Sequence, residues 1–117
     1  MERINGVSCV APPDPYPAGS FDSILALNAD WVAILPYAFL DPDNPEVVYD
    51  MQWQWWGEKP AGTIQQIKDA KAAGLKVLLK PHVWVKGQGW NGDFVCKKEA
   101  DWTKWEGSYE KYIQAYA

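Results

Sequence analysis

The sequence has few of the features that mark membrane, secreted or nucleic-acid-binding proteins. No apolar run approaches the roughly 18 residues of a membrane-spanning helix, and Met1 to Arg3 lead into a predicted strand rather than a signal-peptide core. The formal net charge is −4 and the basic residues are scattered, so no basic stripe is present to bind a phosphate backbone. We therefore expect neither nucleic acid nor a membrane as a partner, whereas a cytoplasmic and an exported location both remain open.

Cysteine and histidine are also scarce. Cys9 and Cys96 are far apart and lack the short spacing of a zinc site, so we expect two unpaired thiols rather than a disulfide. His82 is the only histidine, and a single imidazole without neighbours at ligand spacing does not form the usual metal site. The sequence contains no P-loop, dinucleotide fingerprint or GxSxG elbow. It thus predicts no metal and no other cofactor.

The sequence does contain an alternation of apolar strands and amphipathic helices. Strands are predicted at residues 4–10, 31–36 and 76–83. Helices are predicted from a Ser20 cap to Asn28, from a Thr63 capping box to Gly74, and from Asp101 to Ala117. Short helix-to-strand turns favour parallel strands joined by right-handed crossovers. The predicted fold class is therefore α/β, with about the first three βα units of a (β/α)8 TIM barrel.

The length of the chain limits this prediction. A complete barrel needs roughly 250 residues, and the sequence has 117. The last predicted helix also runs to Ala117 without a glycine, asparagine or proline to end it. We therefore expect residues 1–117 to form the N-terminal, incomplete part of a single TIM-barrel catalytic domain.

The predicted strand-to-helix connections are long, and two of them are rich in tryptophan. They cover residues 11–18, 37–62 and 84–100, and the second shows no periodicity and is predicted to be an irregular loop. In barrel enzymes such loops lie at the C-terminal ends of the strands, where the chemistry takes place. Tryptophan offers a flat apolar face for a pyranose ring and an N–H for a hydroxyl, so these loops suggest sugar binding.

Not all eight tryptophans are candidates for binding. We expect Trp31, Trp102 and Trp105 to pack in the core, because they lie in a predicted strand or at helical spacing. The loop tryptophans are equally compatible with sugar binding and with anchoring a long loop. This second group consists of Trp55, Trp56, Trp84 and Trp90.

The third predicted strand carries polar side chains at its end. Alternation places Leu78, Lys80 and His82 on one face. If that face is enclosed, Lys80 is a buried cation that needs a carboxylate from a strand outside this sequence. If it is open, Lys80 is solvated and His82 forms hydrogen bonds at the strand end. Both interpretations remain open.

The acidic residues do not form a convincing catalytic pair. Glycosidic hydrolysis normally uses two carboxyl groups, about 5–5.5 Å apart for retention or about 6.5–9.5 Å apart for inversion. The acids considered lie within loops rather than at strand ends, and we assign a catalytic role to none of them. They are Asp41, Asp43, Glu46, Glu58, Asp93 and Glu99.

Five segments in order resemble the N-terminal part of glycoside hydrolase family 113. They are Ile4-Asn5-Gly6-Val7-Ser8, Asn28-Ala29-Asp30-Trp31-Val32, Gln54-Trp55-Trp56-Gly57-Glu58, Leu79-Lys80-Pro81-His82-Val83-Trp84, and Asp101-Trp102 with Tyr109. The resemblance implies a (β/α)8 fold and retaining hydrolysis of β-1,4-mannan. It also implies an acid/base glutamate at the end of strand four and a nucleophile near strand seven. Both lie beyond the helix in which this sequence stops, so we expect the chain alone to be inactive.

The resemblance carries over substrate contacts rather than catalytic groups. The implied substrate-binding residues are Tyr37, Trp55, Trp56, Lys80, His82, Trp84 and Trp90. The leading prediction is the N-terminal part of a retaining glycoside hydrolase that acts on β-mannan or a related β-linked polysaccharide or oligosaccharide. Two alternatives remain: a non-catalytic carbohydrate-binding protein, and a partial barrel that completes itself by oligomerisation.

Overall fold

The computed structural model describes residues 3–87 and 89–117, which form six strands, three α-helices and two short 3-10 helices. The strands are β1 (Gly6–Cys9), β2 (Trp31–Ile34), β3 (Tyr37–Asp41), β4 (Asn44–Val48), β5 (Lys76–Leu79) and β6 (His82–Val85). The helices are α1 (Asp22–Ala26), α2 (Pro60–Ala72) and α3 (Glu99–Tyr116). No helix in these described ranges has the length and apolar character needed to cross a bilayer.

The strands form two three-stranded sheets, and the second sheet continues the first because β3 follows directly on β2 and β6 on β5. The first has the order β1-β2-β5 and is parallel throughout; the second has the order β4-β3-β6, with β3 parallel to β6 and antiparallel to β4. Ile34 pairs with Leu79 in the first sheet, and Tyr37 pairs with His82 in the second, so the register is the same on both sides of the break. The parallel strand pairing predicted from the sequence is therefore present.

The break between the sheets coincides with two prolines. Pro36 and Pro81 separate β2 from β3 and β5 from β6, and proline has no backbone N–H to donate to a ladder. Two hydrogen bonds bridge the gap, from the Lys80 amide to the Ile34 carbonyl (2.9 Å) and from the His82 amide to the Pro36 carbonyl (3.1 Å). β2 and β3 thus form one nearly continuous extended segment, and β5 and β6 form a second one beside it.

The helices cover one face of the strands. Val32 and Ile34 pack with Ala70 of α2 and with Leu75. Farther along, residues of β3, β4 and β6 pack against α3 in a cluster formed by Ala38, Leu40, Val47, Val85, Tyr112 and Tyr116. The opposite face carries a smaller cluster of Ala11, Ala33, Leu35 and Tyr37, and no helix covers it among the described residues. This helix-free face corresponds to the inside of a barrel.

The prediction of an irregular loop at residues 37–62 is partly wrong. The structure shows a β-hairpin there, in which Phe39 pairs with Val48 and Asp41 with Asn44. Pro42 and Pro45 hide the two-residue alternation in the sequence. Pro45 is tolerated within β4 because this strand lies at the edge of its sheet, where a missing N–H is not needed.

The predicted start of the second helix is also wrong. α2 begins at Pro60, whose fixed φ suits the first helical position, and Lys59 is its N-cap. Thr63 lies inside the helix, and its hydroxyl donates to the Gly57 carbonyl (3.3 Å). The predicted end is confirmed, because Gly74 has a φ of +88° and directly follows the C-cap.

One further local prediction needs correction. Ser20 does not cap the first helix; its hydroxyl donates to the Pro17 carbonyl (2.6 Å), and Phe21 is the N-cap of α1. Along α2, Thr63, Gln66 and Ala70 are buried and Ile64 is exposed. On α3, Tyr112 is fully buried, Tyr116 is buried, and Trp102, Trp105 and Tyr109 are half-buried.

Candidate functional site

Aromatic side chains from β3 and β6 meet on the helix-free face, just beyond the C-terminal ends of the parallel strands β2 and β5. Tyr37 pairs with His82, and Phe39 pairs with Trp84. The ring centroids of Tyr37 and His82 are 5.7 Å apart, those of His82 and Trp84 are 5.2 Å apart, and those of Tyr37 and Trp84 are 6.1 Å apart. These three side chains, which we call the aromatic cluster, form a surface of ring faces with a phenol, an imidazole and an indole N–H among them.

Tyr37 is the most buried member of the cluster. Its carbonyl accepts a hydrogen bond from the Gln54 side chain (3.0 Å), which ties the start of β3 to the following loop. Burial and the nearby carboxylate of Glu58 raise the pKa of the Tyr37 phenol above 10. The phenol therefore stays protonated at neutral pH and can donate a hydrogen bond.

The backbone of His82 is held by α3. The His82 amide donates to the hydroxyl of Tyr112 (2.9 Å) as well as to Pro36, and the Tyr112 hydroxyl in turn donates to the Pro36 carbonyl (2.7 Å). Burial and the neighbouring charge of Lys80 lower the pKa of the imidazole below 6.5. The imidazole is thus neutral at neutral pH, with one nitrogen as donor and the other as acceptor.

Asn91 lies beside the imidazole and was not predicted from the sequence. Its Oδ1 accepts a hydrogen bond from the Val85 amide (3.1 Å), and its Nδ2 donates to the Val83 carbonyl (2.9 Å). These two bonds define which end of the side chain carries the N–H groups. The same Nδ2 lies 3.3 Å from Nε2 of His82, which must therefore be the acceptor nitrogen. Nδ1 of His82 consequently carries the proton.

Two buried polar residues support the loop that follows β4. Gln54 accepts a hydrogen bond from the Met51 amide (2.8 Å), and its Nε2 also lies 3.4 Å from a carboxylate oxygen of Glu58. That oxygen accepts a hydrogen bond from the Trp55 amide (3.1 Å). Gln54 and Glu58 are both less than a tenth exposed, and they connect Tyr37 to the tryptophan-bearing loop. Neither residue was assigned a role from the sequence: Gln54 appeared only in the Gln54-Trp55-Trp56-Gly57-Glu58 segment, and Glu58 was considered as an acidic residue in a loop.

The remaining predicted site residues are not members of the aromatic cluster. Lys80 is exposed on the same face as Leu78 and His82, which is the face that a complete barrel would enclose. Trp55 is half exposed, Trp56 is half-buried, and Trp90 is the most exposed of the three. Within residues 3–87 and 89–117, none of these tryptophans makes a ring contact with Tyr37, His82 or Trp84. The structure thus brings together the rings of Tyr37, His82 and Trp84, with the charge of Lys80 close enough to act on His82.

The sequence model of Glycoside Hydrolase Family 113 matches residues 14–117. The chain belongs to glycoside hydrolase family 113. A search of curated proteins found no match. Solved structures of this family share the fold, so the predicted resemblance and the partial (β/α)8 barrel are both confirmed.

Two family 113 structures are informative comparisons. The chain is similar to the GH113 β-mannanase AaManA from Alicyclobacillus acidocaldarius, solved in complex with ManMIm, with 26% identity and a TM-score of 0.70 over 86% of this chain. It also shares its fold with a GH113 β-1,4-mannanase, at 23% identity and a TM-score of 0.72 over 99% of this chain. The chain spans only 34% and 41% of these two proteins. It is therefore a fragment relative to both.

The family 113 chain offers little material for a metal centre. Across the described ranges, no three His, Cys, Asp or Glu side chains are grouped so that they could hold a metal ion. Cys9 is half-buried, Cys96 is buried, and both are free thiols. Glu58 is the one buried acid in the same ranges, and its carboxylate is already engaged by Gln54 and Trp55.

Proposed function

We propose that the chain supplies the first βα units of a retaining glycoside hydrolase that cleaves β-mannan or a related β-linked polysaccharide. In this proposal its part of the enzyme binds sugar and contains no catalytic carboxylate. The observation that carries the proposal is the aromatic cluster of Tyr37, His82 and Trp84, at the barrel end where family 113 membership predicts the active site.

The cluster has the chemistry that a pyranose ring requires. Trp84 is 47% exposed, so part of its indole is free to stack against the C–H face of a sugar. The neutral phenol of Tyr37 and the Nδ1–H of His82 are donors for hydroxyl oxygens. Lys80, which follows the same strand face, adds a charged donor beside them. We further propose that Trp55, Trp56 and Trp90 contact sugar units outside this cluster.

The carboxylates of the chain support a binding role rather than catalysis. A retaining hydrolase needs two carboxyl groups about 5–5.5 Å apart, one as acid/base and one as nucleophile. Glu58 is fixed by the Trp55 amide under the loop, where its hydrogen bonds serve structure. We therefore expect the catalytic pair to come from later strands, and the 117-residue chain to lack hydrolytic activity.

Binding and hydrolysis can be tested separately on the purified chain. We expect manno-oligosaccharides to bind saturably in a calorimetric or NMR titration, and Trp84→Ala to weaken this binding by about tenfold, because a stacked ring is removed. No reducing ends should appear during long incubation with β-mannan. The exposed Ile64→Ala on α2 is the matched control and should bind like the parent chain.

Two results would contradict the proposal. The absence of binding to every β-linked oligosaccharide would remove the role in sugar recognition. Hydrolysis by the purified chain would show that a catalytic pair lies within it.

A second candidate is a partial barrel that assembles with another copy. It is favoured by Leu78, which is 55% exposed on the face that a barrel encloses, and by the free edges of β1 and β5. Light scattering coupled to size exclusion tests this candidate. A monodisperse dimer or larger assembly with cooperative melting supports it, and a monomer at all concentrations rules it out.

A further inference from the structure

We propose that Trp53, Phe39, Asp41 and Lys86 form a second sugar-binding subsite beside the aromatic cluster, toward the tip of the β3–β4 hairpin. Its ligand is a further hexopyranosyl unit of the same β-linked chain. This inference rests on the proposed function, because it extends the same sugar-binding face. Trp53 and Phe39 supply the apolar contact, and Asp41 and Lys86 supply the polar one.

A cavity marks the position of this subsite. Its volume is about 480 Å³, and it is lined by Phe39, Leu40, Asp41, Val48, Trp53 and Lys86. The rings of Phe39 and Trp53 meet edge to face with centroids 4.9 Å apart. An apolar wall with a few polar groups at its rim is the usual composition of a small-molecule site.

Trp53 is held firmly although it is exposed. It is 60% exposed, which is unusual for an indole that merely packs. It lies in a turn closed by the hydrogen bond from the Gln54 amide to the Met51 carbonyl (3.1 Å), and the Gln54 side chain bonds back to the Met51 amide (2.8 Å). Gln54 also donates to the Tyr37 carbonyl (3.0 Å), which connects this turn to the aromatic cluster. The ring is therefore pre-positioned, and little conformational entropy is lost when a ligand stacks on it.

Asp41 and Lys86 place opposite charges at the rim. Lys86 Nζ lies 3.7 Å from Asp41 Oδ2, and the side chain of Lys86 is largely exposed whereas that of Asp41 is about half exposed. The other oxygen of Asp41 accepts the Asp43 amide (3.0 Å), which orients the carboxylate. A carboxylate offers several acceptor positions and an ammonium offers three donors, so the pair can bond to hydroxyls of a neutral sugar while keeping its mutual contact.

The second subsite is continuous with the first. Tyr37, Phe39 and Asp41 alternate along β3, and His82, Trp84 and Lys86 alternate along β6 and its end, so all six lie on the helix-free face. The Lys86 amide donates to the Leu40 carbonyl (2.8 Å), so the parallel pairing persists to this point. One polysaccharide chain can therefore contact both sites along a single direction.

The length dependence of oligosaccharide binding tests this inference. Titrations of the purified chain run from mannobiose to mannohexaose, with binding followed by calorimetry and by the indole N–H signals in NMR spectra. In the parent chain, affinity should rise with length, and the Trp53 indole signal, identified by its loss in Trp53→Phe, should shift with the longer ligands. Trp53→Ala should lower hexasaccharide affinity by about three- to tenfold and leave disaccharide affinity unchanged.

Two further variants separate binding from folding. Trp53→Phe keeps an aromatic face and should retain part of the length dependence, whereas the exposed Ile64→Ala should retain all of it. Thermal melting of each variant shows whether the fold is intact. If Trp53→Ala fails to fold, the parent chain still tests the subsite, because its Trp53 indole signal, identified with Trp53→Phe, either shifts with the longer ligands or does not.

The outcomes are distinct. The second subsite is overturned, and the proposed function left intact, by two results together. Affinity still rises with oligosaccharide length in Trp53→Ala, and the Trp53 signal of the parent chain does not shift. A parent chain that binds no oligosaccharide of any length overturns both. A gain that is lost in Trp53→Ala and partly restored in Trp53→Phe supports the subsite.

Discussion

The side-chain amide of Asn91 donates to Nε2 of His82 over 3.3 Å, and it holds the imidazole in one tautomer. Its orientation does not depend on the histidine, because the Val85 amide and the Val83 carbonyl already define both ends of the Asn91 side chain. A protonated imidazole would place an N–H against the N–H of Asn91. The contact therefore favours the neutral ring with its proton on Nδ1.

Replacement of Asn91 tests this relationship. We expect His82 in the parent chain to show an unprotonated Nε2 and a protonated Nδ1 in nitrogen-detected NMR spectra, which are unambiguous because the chain has one histidine. Asn91→Ala should give a mixture of tautomers and a higher His82 pKa, since the opposing N–H is gone. Asn44→Ala, whose side chain contacts Lys104 at the surface, is the matched control. An unchanged tautomer in Asn91→Ala would show that other groups position the ring.

His82 should also make stability depend on pH. Burial and Lys80 lower its pKa below 6.5 in the folded chain, so the unfolded state binds the proton more readily. The free energy of unfolding should therefore decrease as the pH falls from 6.5 toward the lowered pKa of the folded state. Urea denaturation at several pH values, with His82→Gln as the reference, measures this effect. Curves for the two proteins that remain parallel across this window would contradict the prediction.

The hydroxyl of Tyr112 should contribute measurably to stability. It is fully buried and bonds both the Pro36 carbonyl (2.7 Å) and the His82 amide (2.9 Å). Tyr112→Phe should lower the free energy of unfolding by about 1–3 kcal/mol, because it removes only the hydroxyl group and leaves its two backbone partners without this hydrogen bond. Tyr49→Phe is the control, since its hydroxyl makes one long bond of 3.4 Å at the surface and its loss should change stability by less than about 0.5 kcal/mol. Equal effects in denaturant titrations would contradict this assignment.

Two helical glycines should respond oppositely to the same substitution. A methyl group on Gly62 in α2 would overlap the Trp56 carbonyl oxygen, whereas a methyl group on Gly107 in α3 would meet nothing within 4 Å. Gly62→Ala should therefore destabilise the chain by about 3 kcal/mol, and Gly107→Ala should stabilise it by up to about 1 kcal/mol. Thermal melting of both variants measures this difference. Similar shifts of the melting temperature in the same direction would show that Gly62 of α2 does not lie close to the Trp56 carbonyl.

Local signals in the sequence predicted most of the fold. The end of α2 follows from Gly74, which takes up the left-handed conformation, and the parallel strands follow from short apolar runs after brief turns. The β3–β4 hairpin did not follow, because Pro42 and Pro45 obscure its alternation and only the neighbouring strand and helix stabilise it. Val47, for example, donates its amide to Ser108 of α3 (2.9 Å), a contact between distant parts of the chain.

The candidate site was predictable as a set of residue types but not as an arrangement. Tyr37, His82 and Trp84 were selected individually, whereas their contact depends on the register of β3 against β6, which an apolar pattern specifies only weakly. Gln54 and Asn91 were missed because amides are common in loops. Their importance comes from burial and from hydrogen bonds to the backbone, which only the folded structure shows.

The bond between Tyr112 and His82 also bears on the order in which the chain can fold during its synthesis. The two residues are 30 positions apart, and Tyr112 belongs to α3. A ribosome releases His82 and its strand well before it releases α3. In the nascent chain, the strand that carries the imidazole therefore remains without this support until α3 has emerged and docked.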